Sequence, residues 1–304
     1  MNYEGPGREQ GLKGDFEIRE LSEPWEFQEA VEVQASAWNM RDYREAAPAH
    51  LLRALADNGG LVLGAFIGGK MAGVSYGWPV DGEYFYSHAT GVRRDVKYRG
   101  VGYALKLEQR RRVIERYDLT LAKWTFDPLQ SLNSRFNLFK LGVIARVYLI
   151  NYYGEIRDEI NRGLGSDRVK GEWHLDSGRV RARIEGSVVG DNLALERLQR
   201  MGAQTVLEVR GAPPRPGEPV LDPTSDVTLL PIPKAVSELR EVNPELPRLW
   251  REATRRVYSR LIGELGYVLV DSVKGEKENI YYNVLWRAPL KTILEGVEPW
   301  RIPI

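Results

Sequence analysis

Tyr98-Arg99-Gly100-Val101-Gly102-Tyr103-Ala104-Leu105 sets two glycines at the start of a long amphipathic helix, and the reading of the fold turns on this junction. The first N–H groups of a helix have no intrahelical partner and lie at the positive end of the macrodipole, so the junction is a seat for an anion. Gly100 and Gly102 remove side chains that would block a close approach to the backbone. The same pair also serves a bare turn that holds no ligand. Two nucleotide fingerprints fail. A dinucleotide loop needs a third small residue where this chain has Leu105, and an apolar strand leading into the first glycine, where it has Arg93-Arg94-Asp95-Val96-Lys97. A phosphate-cradling loop needs a Gly-Lys-Ser/Thr that does not follow.

Composition narrows the chemistry. The 304 residues suffice for about two domains, and a hydrophobic content of 43% with eight Trp indicates a folded globular chain. Lys+Arg 43 against Asp+Glu 42 leaves a net charge of +1, so no global field draws it to nucleic acid or a membrane. With no Cys there are no disulfides, thiolate zinc sites or cysteine nucleophiles, and three His leave little material for a metal cluster. We expect no metal. No apolar run reaches the ~20 residues of a membrane span and the N-terminus has no hydrophobic signal core, which gives the expectation of a cytoplasmic protein. The excess of Arg over Lys and the lack of Cys suit a thermostable chain.

Working outward from the glycine pair, the periodicities predict an α/β fold with a mixed sheet flanked by helices. A polar tail (1–15) precedes a strand at Phe16–Leu21, a helix carrying Trp25, Ala30, Val33, Ala37 and Trp38, and a helix from Pro48. Strands follow at Leu61–Phe66 and Met71–Pro79 around Gly68-Gly69, and at Tyr84–Val92. After the central helix, Gly100 to about Tyr117, come a strand at Leu119–Phe126, a helix at Leu132–Leu141 closed by Gly142, and a strand at Val143–Leu149. Beyond Gly178 the pattern restarts. Val180–Val189 alternates as a strand, Asn192–Met201 reads as a helix and Thr205–Val209 as a strand, followed by a surface loop at Gly211–Gly217. A strand at Val227–Ile232, a helix ending near Val242, a long helix at Pro244–Leu265 and a hairpin of Tyr267–Val273 with Ile280–Trp286 complete the pass. The implied organisation is a tail (1–15), a first domain (16–178) and a C-terminal α+β domain or extension (179–304).

This element order, with Arg99, Gly102 and Ala104 at the positions of an Arg/Gln-x-x-Gly-x-Gly/Ala signature, resembles the GNAT acetyltransferase superfamily. Trp124-Thr125-Phe126-Asp127-Pro128-Leu129, then Asn133, Asn137, Leu141-Gly142, Tyr148, Asn151 and Tyr153-Gly154, is similar to a poorly characterised branch of predicted acetyltransferases within it. The resemblance spans about Phe16 to Trp173. It implies an N-acetyltransferase that passes an acetyl group from acetyl-CoA directly to an amine. It also implies that the pyrophosphate rests on the backbone of Arg99, Gly100, Val101, Gly102, Tyr103 and Ala104, that the pantetheine pairs with Gly91 and Val92, and that an N–H near Val92 stabilises the oxyanion.

The alternation of Tyr84–Val92 sets Tyr86, His88, Thr90 and Val92 on one face. His88, with an ordinary pKa of about 6.5, is the candidate base, and a half-buried structural histidine is the other reading. Glu83 is the runner-up. Asn133 and Asn137 share a helix face and are candidates for CoA contact, or for capping nearby backbone. Where many GNAT enzymes carry an acidic Tyr this chain has Leu138, so Tyr148, Tyr152 or Tyr153 has to protonate the thiolate, or it leaves unaided, or transfer is lost; Tyr153 is the candidate taken forward. A non-catalytic acyl-CoA-binding protein is therefore the alternative. The loop Arg93–Tyr98 offers arginines to the 3′-phosphate of CoA or to solvent. Ser166-Asp167-Arg168 reads as a structural loop or a substrate contact, and Trp124 and Trp173 as core. The expected acceptor is a small-molecule or protein amine, without membrane and with nucleic acid unfavoured; a homodimer is compatible. An RNA-associated reading rests on Arg93, Arg94, Arg110–Arg112, Arg251, Arg255 and Arg256.

Overall fold

The computed structural model describes residues 16–40, 43–95, 100–154, 164–186, 190–275, 279–296 and 298–301. The expected tail (1–15) and Arg99 lie outside them. By internal contacts the chain divides at Leu119/Thr120 into two compact units, each mixed α/β.

The first unit is an antiparallel sheet in the order β1 (Glu17–Glu20), β2 (Leu61–Ile67), β3 (Lys70–Val80), β4 (Tyr84–Val92). The turn between β2 and β3 is made by Gly68 and Gly69, at φ 55° and 82°, a region glycine enters without the Cβ penalty. Helices α1 (Pro24–Trp38) and α2 (Ala49–Asp57) cover one face. There Phe27, Ala30, Val33 and Leu52 pack on Val62, Phe66, Met71, Val74 and Tyr76. Helix α3 (Val101–Tyr117) covers the other face; a Cβ on Gly73 of β3 would meet its Val101 and Leu105 side chains.

The second unit has a sheet in the order β5 (Leu121–Phe126), β7 (Arg168–His174), β6 (Ile144–Leu149), β12 (Val268–Lys274), β13 (Ile280–Trp286), β11 (Val227–Pro233), β8 (Gln204–Thr205). Pairing is antiparallel except between β11 and β8, so the sheet is mixed. Strand β7 is absent from the sequence reading and lies between β5 and β6. The expected boundary near 178 falls within this unit, whose sheet pairs strands from both sides of it.

Three local expectations are corrected. Val180–Val189 is not a strand: Gly178–Ile184 forms α5, while 187–189 lie outside the described residues. Ser177 caps it by accepting from the Val180 N–H at 3.3 Å, and Arg179, Val180 and Arg183 fall on one buried helical stripe. Alternation misled because two of those buried positions are arginines. Thr205–Val209 divides into β8 and β9 (Leu207–Arg210). The loop expected at Gly211–Gly217 is a tighter turn than it reads, since β10 (Arg215–Pro219) folds back on β9.

Helix α4 (Ser131–Arg135) continues as a π-helical turn over Phe136–Lys140 and ends at Gly142, φ 75°. Helix α6 (Asp191–Arg200) and the short α7 (Leu239–Val242) and long α8 (Leu246–Gly263) follow the expected spans, and α9 (Leu290–Leu294) is an addition. No helix among the described residues is long and apolar enough to cross a membrane.

Candidate functional site

The register of β3 on β4 contains the feature that organises the first unit's site. Tyr76 pairs with Ala89 and Gly77 with Ser87, so His88 is an inserted residue, a β-bulge. An extra residue in a strand with a side-chain period of two reverses the faces beyond it. Before the bulge Ser87 faces α3, accepting from Lys106 at 3.0 Å. After it Thr90 faces α3, bonded to Ser75 at 2.8 Å, and Val92 joins it, opposite Gly73. Gly91 faces the other way, since a Cβ there would meet Ala37 and Trp38 of α1 at 3.0 Å. The expected common face of Tyr86, His88, Thr90 and Val92 is therefore corrected: Thr90 and Val92 lie on the α3 side, and Tyr86 with His88 on the α1 side.

His88 stands among aromatic rings. Its centroid is 5.4 Å from Tyr76, 5.6 Å from Trp78 and 6.0 Å from Tyr86. Although the residue is exposed, its packing against these rings removes enough water to disfavour the imidazolium, which lowers the pKa. A histidine so held is neutral near pH 7 and can take a proton. Glu83 instead occupies the exposed turn after β3, its N–H bonded to Val80 at 2.9 Å.

The anion seat is expected at the start of α3. Gly100 is its cap, at φ 116°, and offers no side-chain acceptor to the first turn, which carries no acidic residue. Val101 and Ala104 are buried, so at those positions a ligand meets backbone alone. Gly102 is different. A Cβ there would meet only Val92 Cγ2, at an ordinary 3.5 Å, so packing does not demand glycine. Arg93 is already engaged, donating to the Met71 carbonyl at 2.8 Å and pairing with Glu29 at 3.4 Å. Five more of the arginines that suggested RNA are paired as well: Arg111 and Arg112 with Glu108, Arg251 with Asp127, Arg255 with Asp167 and Arg256 with Glu218.

Behind β4 lies a polar network that the sequence did not disclose. Lys106, 3% exposed, donates from Nζ to Ser87 Oγ and, at 2.8 Å, to Gln109 Oε1. Gln109 Nε2 donates to Ser75 Oγ at 3.1 Å. Burial pushes the Lys106 pKa far below its usual value.

In the second unit Asn133 and Asn137 do share a face, Asn137 Nδ2 donating to Asn133 Oδ1 at 3.1 Å. Asn137 is buried and also accepts from Trp124 Nε1 at 3.0 Å, which commits it to the interior; Asn133 is exposed. Tyr153 is exposed and hydrogen bonded to Thr125 at 2.8 Å, with the Arg168 guanidinium 5.5 Å from its ring centre. Tyr148 is held differently: its hydroxyl donates to Asp167 at 2.5 Å, and burial beside that carboxylate raises its pKa. Asp167 also receives Arg255 and the Asn151 N–H, so 166–168 is a structural knot. Leu138 is wholly buried.

One carboxylate escaped the sequence reading. Glu172 of β7 accepts from Arg146 at 2.9 Å and lies 3.4 Å from His174 Nε2. These partners hold its pKa down against the effect of burial, so it is a poor proton acceptor. Its missing signal was the strand itself. Among the described residues no group of His, Asp and Glu could hold a metal ion.

No protein-family model matches the chain, and no curated protein matches it. Solved structures do. A Desulfovibrio desulfuricans protein assigned to the GNAT acetyltransferase family is 19% identical over 53% of this chain and 99% of its own, with a TM-score of 0.40. A PaiA N-acetyltransferase from Thermoplasma acidophilum, in complex with coenzyme A, is 16% identical over 52% and 98%, with a TM-score of 0.37. The aminoglycoside 6′-N-acetyltransferase from Enterococcus faecium is 13% identical over 52% and 96%, at 0.40.

Proposed function

We propose that the chain is a CoA-dependent N-acyltransferase of GNAT type, moving an acetyl group from acetyl-CoA to an amine. The observation that carries this reading is the start of α3, where a glycine cap, a first turn without acidic side chains and an unneeded glycine at 102 leave orphan N–H groups open to an anion. A pyrophosphate matches that demand. Gly100, Val101, Gly102 and Tyr103 would hold it through their backbone, Ala104 already donating its N–H to the Gly100 carbonyl at 2.9 Å, and the pantetheine would lie along Gly91-Val92.

Neutral His88 then has a defined task. It accepts a proton from the acceptor's ammonium group, freeing the nitrogen lone pair to attack the acetyl carbon. The C–N bond forms, the nitrogen releases its second proton to solvent, the C–S bond breaks, and the electron pair leaves on sulfur. Tyr153 is the candidate to protonate that thiolate.

Titration calorimetry with acetyl-CoA is the test, and absence of binding at millimolar ligand would sink the reading. Release of free thiol across a panel of amines tests transfer itself. A second reading, a non-catalytic acyl-CoA-binding protein, is favoured by one observation: Leu138 is buried hydrocarbon and Tyr148 is tied to Asp167, so neither can donate a proton. Binding without thiol release would select it.

A further inference from the structure

The bulge at His88 is bracketed by the buried network of α3. On its near side Ser87 Oγ receives Lys106 Nζ at 3.0 Å. On its far side Thr90 Oγ1 bonds Ser75 Oγ at 2.8 Å, and Ser75 receives Gln109 Nε2 at 3.1 Å. Lys106 and Gln109 close the circuit at 2.8 Å. Lys106, Gln109, Ser75 and Ser87 are each at most 3% exposed.

A bulge has an alternative. If the extra residue is taken up elsewhere along the strand, every side chain between the old and new positions changes face. Slippage beyond Thr90 would carry its hydroxyl to the aromatic side. Slippage beyond Ser87 would turn Ser87 away from α3. Either shift strands a buried polar group, which costs about 1–3 kcal/mol for each donor or acceptor left unsatisfied. The anchors sit one residue before and two residues after His88, so both are satisfied only when the extra residue is held between them. Apolar packing marks the strand upstream, where Phe85 meets Tyr117 of α3 with ring centroids 5.6 Å apart, but the α1 face beyond Tyr86 continues with Ala89 and Gly91, which are too small to index it.

We propose that Lys106 and Gln109 are positioning residues that fix the β4 bulge, and through it the place of His88 and of the backbone leading to Val92. This rests on the transferase reading only for its catalytic consequence; the structural part stands by itself. Lys106 does not touch the imidazole. It acts from the opposite face of the sheet, by holding the strand.

The experiment separates the two parts. In Lys106→Met, which keeps the length of the side chain and removes the donor, His88 imidazole resonances and the amide signals of Ser87–Thr90 should shift, with amide exchange at His88 and Ala89 at least tenfold faster. If the chain transfers acetyl groups, kcat should fall about tenfold or more while KM for acetyl-CoA moves less than threefold, and Lys106→Gln, which keeps a donor, should recover part of kcat. Thr90→Val, which cuts only the far anchor, should give the same local exchange signature with a smaller amplitude, and serves if Lys106→Met does not fold. Unmoved His88 signals and exchange in Thr90→Val and in every folded Lys106 variant would overturn the proposal. Moved signals in a chain without thiol release would retain it and reject the transferase reading instead.

Discussion

Two buried polar clusters, one in each unit, solve the same problem in opposite ways. In the first unit Lys106 donates to a hydroxyl and an amide oxygen, so an amine whose charge burial disfavours is held by dipoles. In the second, Asp271 accepts from Arg301 Nε at 2.9 Å and Trp300 Nε1 at 3.0 Å and lies 3.2 Å from Arg183, while Glu298 pairs with Arg179 and Arg183. Three guanidiniums, from Arg135, Arg183 and Arg301, also surround the Phe139 ring at 4.2, 5.3 and 4.3 Å. Full ions in that cluster tie α5 to β12 and to the last described residues. The lesson is that charge density follows the job: a dense ionic knot fixes a chain segment, and a lightly charged network fixes the register of one strand.

The largest effect that would break this contrast is expected at Asp271. Asp271→Ala leaves Arg183 and Arg301 buried without their carboxylate and should cost about 3–5 kcal/mol in urea unfolding. The cationic neighbours hold the Asp271 pKa well below the ordinary carboxylate range, so its stabilisation is full above the unfolded value of about 3.9 and is lost as pH falls below it. Unfolding curves that show no acid-side loss specific to the wild type would contradict the ionic account.

Next comes His88→Ala. Removing a general base should lower kcat/KM about 100-fold or more with the fold intact. Because burial lowers the His88 pKa, the acid limb of wild-type kcat/KM should fall below about pH 6.5, the imidazole losing function as it gains its proton. A limb above that value would assign the base elsewhere. A smaller effect is expected for Gly102→Asp, whose carboxylate meets the phosphate seat: acetyl-CoA should bind at least ~10-fold more weakly, about 1.4 kcal/mol, by calorimetry. Unchanged affinity in a folded variant would move the seat. The smallest effect belongs to the exposed pair of Arg111 with Glu115, where Arg111→Ala should change stability by no more than ~0.5 kcal/mol. A larger loss would show that surface ions, too, hold the first unit together.

The parts of the fold that could be read in advance were those whose period is unbroken. Tyr84–Val92, the Gly68-Gly69 turn and the helix beginning after Gly100 stand where the sequence puts them. The parts that could not be read involve buried charge. Strand β7 runs Arg-Val-Lys-Gly-Glu-Trp-His, and its Glu172 is buried through Arg146 and His174, partners that no local pattern reveals. Helix α5 failed for the same reason, since Arg179 and Arg183 point inward to Glu298. At the candidate site the residue types were legible and their faces were not. An inserted residue leaves no mark in an alternating sequence, so the side assigned to Thr90 and Val92 was wrong from one position onward.

That insertion divides β4 into two segments with independent grammar. Upstream of His88, even-numbered positions address the aromatic side; downstream, even-numbered positions address α3. A substitution at Tyr86 can therefore reshape whatever meets the aromatic surface without disturbing the run that leads to Val92, and a change at Thr90 does the reverse. Deleting the single residue Ala89 would merge the two segments into one regular phase, with His88 opposite Tyr76 and every other side chain still on its own face.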